Sequence, residues 1–193
     1  SYPAKKSGAG YSAEIANILK GERDQWFRPA DVCVAPDGSL IIADWYDPGV
    51  GGHAAGDQVK GRIYRVAPAG SKYTIPKYDY ATVAGAVAAL QNPNLSVRHH
   101  AFIALQQLGA AAIPQLETLW KNSADPRMKA RAFWALVKMP SANAQPYIAE
   151  AIKDNNADLR ITGVRAADQL NKDVIATIKQ LVNDPDPQVR REC

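Results

Sequence analysis

The stretch "NLSVRHHAFIALQQL", residues 94–108, decides the fold, because the chain states its pattern twice more. "DPRMKARAFWALVKM" at 125–139 and "NADLRITGVRAADQL" at 156–170 share one register with it. Each copy opens on Asn94, Asp125 or Asn156, residue types whose side chains cap the free N–H groups of a first helical turn. Three positions on stands an apolar anchor, Val97, Met128 or Leu159, at intervals of 31 and 31 residues. A cation follows (Arg98, Lys129, Arg160), then a small residue (Ala101, Ala132, Gly163) that lets a partner helix come close. Apolar positions recur from each anchor at helical spacing, which puts them on one face. A fourth copy, "DPQVRREC" from Asp186, reaches Val189, Arg190 and Cys193. Pro126 and Pro187 take the first helical position, where a missing N–H costs nothing.

Between the copies, residues 82–91, 110–122, 142–154 and 172–183 read as partner helices. Helix pairs at a short fixed period build an α-solenoid. The period and the D-P-x-x-V-R-x-x-A flavour resemble HEAT repeats. The expectation is a stack of helix pairs in which Val97, Met128 and Leu159 occupy equivalent buried positions and Trp120 and Trp134 join the core. The cations at the repeat period have two readings: an anion-binding stripe, or pairs with a carboxylate or helix C-terminus in the next repeat. His99 and His100 point about 100° apart on a helix, so they read as solvated or interface residues rather than as a metal pair. The fourth copy stops within its helix, so the chain is expected to be a piece of a longer protein.

Residues 1–75 follow a different grammar from residues 76–193. "PADVCVAPDGSLIIADW", 29–45, gives two short apolar runs, Val32–Ala35 and Leu40–Ala43, around a Pro-Asp-Gly-Ser turn. Both runs are apolar on successive residues, which predicts burial on both faces, with Cys33 acting as a small hydrophobe. "GRIYRV", 61–66, is a third strand, and three strands in meander order form most of one β-propeller blade. Upstream, "SAEIANILK", 12–20, spaces Ile15, Ile18 and Leu19 as a short helix would.

Between the second and third strands lies "DWYDPGVGGHAAGD", 44–57. Asp44, Asp47, His53 and Asp57 could ligate a cation or hydrogen-bond a sugar-like substrate. The alternative is a loop shaped by Asx-turns and glycines. Arg28, in the compact "WFRP" cluster, and Arg62, at the start of the third strand, each fit an anion-binding role or a structural one, stacked on an aromatic or paired with an acid such as Asp31 or Asp44. The spacing matches no known metal motif, and "GVGGHAAG" lacks the lysine and the strand–loop–helix setting of a phosphate loop.

The string "WFRPADVCVAPDGSLIIADWYDPGVGGH", followed by "GRIYRVAP" and the repeats, resembles a bacterial family of large membrane-bound dehydrogenases, also described as haem-binding proteins. Members combine a propeller related to sorbosone and glucose dehydrogenases, HEAT repeats and a cytochrome c module. The resemblance implies a mainly α chain, a HEAT-like α-solenoid over 76–193 preceded by a small β meander from a propeller blade within 1–75. It implies a periplasmic or cell-surface parent, with haem c, and a quinone cofactor or calcium, held outside this region. Arg28, Asp44, Asp47, His53, Asp57 and Arg62 would then be ligand-binding candidates facing the parent's central funnel, and the partner a protein or the parent's own cytochrome module. This region itself is expected to hold no cofactor and to be non-catalytic. The second reading is a protein-binding HEAT module with a structural β adaptor.

Bulk composition narrows the classes. The net charge of +4 splits as +1 and +3, with no strong basic stripe in either part: nine Lys/Arg against eight Asp/Glu in residues 1–75, fourteen against eleven in 76–193. No dense basic run supports nucleic-acid binding. No apolar run approaches the roughly 20 residues of a membrane span. The two cysteines, Cys33 and Cys193, form no CxxC or CxxCH, so this sequence has no zinc ribbon or covalent haem motif.

Overall fold

The computed structural model describes residues 1–47 and 60–193. Five strands come first: β1 (Ala4–Ser7), β2 (Gly10–Ala13), β3 (Pro29–Val34), β4 (Leu40–Asp44) and β5 (Arg62–Val66). The helices follow: α1 (Val83–Leu90), α2 (Leu95–Leu108), α3 (Ile113–Asn122) after a 3₁₀ turn at Gly109–Ala112, α4 (Pro126–Val137), α5 (Ala144–Ala151), α6 (Ala157–Gln169), α7 (Val174–Leu181) and α8 (Pro187–Glu192).

The repeat caps form as the register predicts. Asn94 accepts the N–H of Val97, and Asp125, Asn156 and Asp186 accept those of Arg127, Asp158 and Gln188. Consecutive helices pack in pairs, α1 with α2, α3 with α4 and α5 with α6, while α4, α6 and α8 lie side by side. One hydrophobic core runs from Ala86 to Val189, with Trp120, Phe133, Leu136 and Leu159 almost fully enclosed. The small-residue rule has a direct cause at Gly163. A Cβ there would lie 2.8 Å from Ile152 Cγ2 and 3.1 Å from Ala151 Cβ.

Two details of the expected packing are corrected. Val97, Leu159 and Val189 are buried, but Met128 is only half-buried, and Arg131 Nη1 lies 3.6 Å from its sulfur. Trp134 is likewise half-buried, under Lys138, whereas Trp120 is enclosed.

The strands form two separate sheets. β3, β4 and β5 make the expected antiparallel meander, with Val32, Ile42 and Tyr64 in one cross-strand row and Asp44 opposite Arg62. The Pro-Asp-Gly-Ser turn closes it: Gly38 has φ +85°, and Asp37 accepts both the N–H and the hydroxyl of Ser39. Burial on both faces does not occur. Every residue of β3 is exposed, Cys33 included, and Ile42 is the one buried apolar residue of the three strands. Among the described residues no helix or second sheet packs across the meander, so its strands have little to bury their side chains against.

β1 and β2 form a hairpin through Gly8, which has φ +56°. The helix expected over 12–20 is absent: Ser12 belongs to β2, and Ile15, Ile18 and Leu19 are exposed. An isolated helix shorter than about 12–15 residues is marginal in water, and this one has no core to lie on. The hairpin instead docks on the last repeats. Lys6 pairs with Asp158 at 2.6 Å, and Gln188 Nε2 donates to the carbonyls of Gly8 and Gly10 at 2.8 and 2.5 Å.

The meander docks on the first repeat. Tyr78 donates its hydroxyl to the Pro36 carbonyl at 2.8 Å and accepts from Asn92 Nδ2 at 2.9 Å. Asn94 both caps α2 and donates its amide to the Val34 carbonyl, so one buried side chain ties the helix start to the edge of the sheet.

Candidate functional site

Asp44 closes β4, and the strand register sets it between Pro29 on β3 and Arg62 on β5. Its side chain is 0% exposed. Oδ1 accepts the backbone N–H of Arg28 at 2.8 Å and of Tyr46 at 3.0 Å. Oδ2 accepts Nε and Nη2 of Arg62 at 2.9 and 2.7 Å. Burial alone would push the Asp44 carboxyl up, but the N–H donors of Arg28, Arg62 and Tyr46 outweigh it and hold the group below its ordinary range. Arg62 Nη2 also meets Asp24 Oδ2 at 2.8 Å, and its guanidinium lies over the rings of Tyr46 and Tyr64, with centroids at 4.6 and 5.4 Å. Tyr46 reaches this position through a left-handed φ of 53°.

Of the six residues singled out in the sequence, Arg28, Asp44 and Arg62 come together here. Arg28 takes part through its backbone only. Its guanidinium turns to the carbonyls of Gln25 and Phe27 at 2.7 and 3.0 Å. Asp47 follows the cluster and is half-buried. His53 and Asp57 lie outside the described residues, as does most of the 44–57 loop. The Asp44 carboxylate already receives four hydrogen bonds, so it has little capacity left for a ligand. Beside the cluster, Leu19, Glu22, Asp24, Phe27 and Tyr64 line a shallow cavity of about 290 Å³. No group of three or more potential metal ligands occurs among the described residues.

The second candidate is the ladder of cations. Arg98, Arg160 and Arg190 repeat one geometry. Each gives Nη1 to two carbonyls of the loop before its own helix: Asn92 and Pro93, Asp154 and Asn155, Asp184 and Pro185. Lys129 has no fork to do this. It reaches Asp154 at 3.2 Å and lies over the Trp120 ring at 5.2 Å. Arg160 also forks onto Asp184 at 2.7 and 2.8 Å, which raises the arginine and lowers the acid from their ordinary values. The pairing with the next repeat therefore holds for Lys129 and Arg160. His99 and His100 are exposed, and His100 packs 6.0 Å from the Tyr80 ring.

Sequence reasoning missed the position two residues before each cap. Asn92, Ser123, Asp154 and Asp184 stand there, and each accepts the N–H of the cap residue through its side chain. The repeat register would have revealed this column had it been extended two places upstream. Arg131 was also missed, since it has no counterpart in the other copies.

Comparison with known proteins agrees with this geometry in one respect. The family described as HEAT repeats matches residues 83–168, from the start of α1 to near the end of α6. That region is a HEAT-repeat region. No curated protein matches the chain.

Proposed function

We propose that the helical region is a solenoid scaffold for protein–protein contact, and that the β3–β5 meander is a structural adaptor closing its first repeat. The observation that carries this reading is on α2. Leu95 is 73% exposed and Ile103 41%, one face of a helix whose other side builds the core. Apolar side chains left in water beside a repeat stack fit a surface that another protein covers. The saturated Asp44–Arg62 cluster fits a fastening between strands. The test is affinity purification from source cells with the native chain and with a Leu95→Glu/Ile103→Glu variant of equal melting temperature. Loss of a specific partner with the variant supports the reading; unchanged capture contradicts it.

The meander order of β3, β4 and β5 favours a second reading, in which this region belongs to a dehydrogenase with a propeller and a cytochrome module, as the sequence resemblance implies. Haem and any quinone or calcium would then be held by other parts of that protein, outside the cell membrane. Absorption spectroscopy of the full-length protein with sugar or alcohol substrates and an electron acceptor tests it. Substrate-dependent haem reduction supports that parentage, and its absence over a range of such substrates counts against it.

A further inference from the structure

Arg98, on the first repeat, meets no acid from the repeat that follows it. Arg160 forks onto Asp184, and Lys129 reaches Asp154, each acid standing two residues before the cap of a following helix. For Arg98 the corresponding residue is Ser123. Its hydroxyl accepts the Asp125 N–H at 3.2 Å, as the acids do for their caps, but brings no charge. Arg98 Nη1 is held by the Asn92 and Pro93 carbonyls at 3.2 and 3.1 Å, which aims the guanidinium without neutralising it. Arg131, from α4, converges on the same place: its Nη1 lies 3.1 Å from the Leu90 carbonyl and 3.5 Å from the Asn92 carbonyl. Two guanidinium groups thus share one carbonyl oxygen. Among the described residues neither forms an ion pair, and both are partly exposed. Burial and the neighbouring charges of Arg98 and Arg127 hold Arg131 below its ordinary value, while nearby Asp125 is engaged by Arg127 at 3.2 Å.

We propose that Arg98 and Arg131 receive a carboxylate from an acidic segment of a partner protein, with that segment's apolar residues lying along Leu95 and Ile103. This rests on the scaffold reading and names its chemistry. The chain supplies the template, since Asp184 on Arg160 shows which group the fork accepts at this position of the repeat. Leu95 is one turn before Arg98 on the same helix, so a partner strand or helix touching the arginines meets exposed apolar surface beside them. A planar arginine fork favours the bidentate geometry of a carboxylate. Nucleic acid is the less suitable occupant, because the net charge is only +4 and the sequence has no dense basic run.

The test uses a labelled peptide in which glutamates alternate with leucines, its glutamine-for-glutamate counterpart, and fluorescence anisotropy with the full chain. The glutamate peptide is expected to bind at least roughly tenfold tighter than the glutamine peptide, and to weaken with salt. Arg98→Gln and Arg131→Gln should each remove that preference. Arg98 also holds its loop, so Ser123→Asp provides a variant that keeps the fold: it supplies the missing acid in place. It should leave Tm unchanged or higher and weaken the glutamate peptide at least roughly tenfold. Equal binding of the two peptides, no binding of either, or full binding to Ser123→Asp overturns the proposal. If both peptides bind alike and Leu95→Glu abolishes both, the scaffold surface stands and the carboxylate site falls. If Leu95→Glu leaves both unchanged, the scaffold surface falls as well. A single-stranded oligonucleotide that binds the same arginines more tightly than the peptide overturns the choice of a protein partner.

Discussion

In the helical region Trp120, Phe133, Leu136 and Leu159 are sealed from water, whereas among the described residues of the meander only Ile42, and Ala35 beside the turn, are buried apolar residues. The meander instead carries two arginine–carboxylate pairs, Arg62 with Asp44 and Arg65 with Asp37, on adjoining strands and turns. The helices are thus held by area removed from water and the strands by directed polar contacts. The two respond to different perturbations. A large-to-small change breaks the first, and loss of a charge breaks the second. Asn94 and Tyr78 are where they meet.

The largest effect is expected from Phe133→Ala, a fully buried ring in contact with Trp120 at 5.4 Å between centroids. Such truncations cost about 3–5 kcal/mol, and thermal melting followed by far-ultraviolet dichroism should show a strongly lowered helical transition. A small shift would mean that the repeats do not share one core.

Next comes Asp44→Asn. It removes the charge from a buried group and leaves Arg62 with fewer acceptors. The expected cost is about 1–3 kcal/mol, confined to the meander. Amide hydrogen exchange at β4 and β5 can follow the sheet while dichroism follows the helices. If the helical transition shifts as much as the sheet signals, the separation drawn here fails.

Asn94→Asp gives a smaller and more selective change. The aspartate keeps the cap, as Asp125 and Asp186 do, but cannot donate to the Val34 carbonyl. Helix content should hold, and the loosening of the sheet should amount to about 1 kcal/mol, the scale of one hydrogen bond.

The smallest effect concerns pH. The hydroxyl and N–H of Ser39, then Arg65, lower Asp37 from 3.8 to about 2. A depressed carboxylate stabilises the fold above its unfolded value, and the contribution fades as pH falls from 3.8 towards about 2. Asp37→Asn should flatten the acid limb of the sheet transition in that window and change nothing near neutrality beyond a constant offset.

How legible each part was follows from the same contrast. A repeat writes its caps, anchors and small residues three times over, so Asn94, Asp125, Asn156 and the prolines of α4 and α8 could be placed from spacing alone. Gly163 could be understood as a point of close approach before any distance was known. The meander's strands and turn were also readable, because Pro-Asp-Gly-Ser and β-branched runs are local signals. Its burial was not, since exposure depends on whether another layer exists, and no local residue records that. Asp44, Arg28 and Arg62 were each singled out, with Asp44 among the acids an arginine could pair with, but only the folded hydrogen bonds show that Arg28 contributes its N–H and not its guanidinium. The β1–β2 hairpin escaped notice because its contacts run from Lys6, Gly8 and Gly10 to Asp158 and Gln188, at the far end of the chain.

Native-state hydrogen exchange tests the central contrast most directly, since it reads the opening free energy of each amide separately. The amides of α4 and α6 should exchange only through global unfolding. Those of β4 and β5 should open at lower free energy, and Asp44→Asn should lower the sheet values further without moving the helical ones. Equal protection of strands and helices, falling together in Asp44→Asn, would contradict the account.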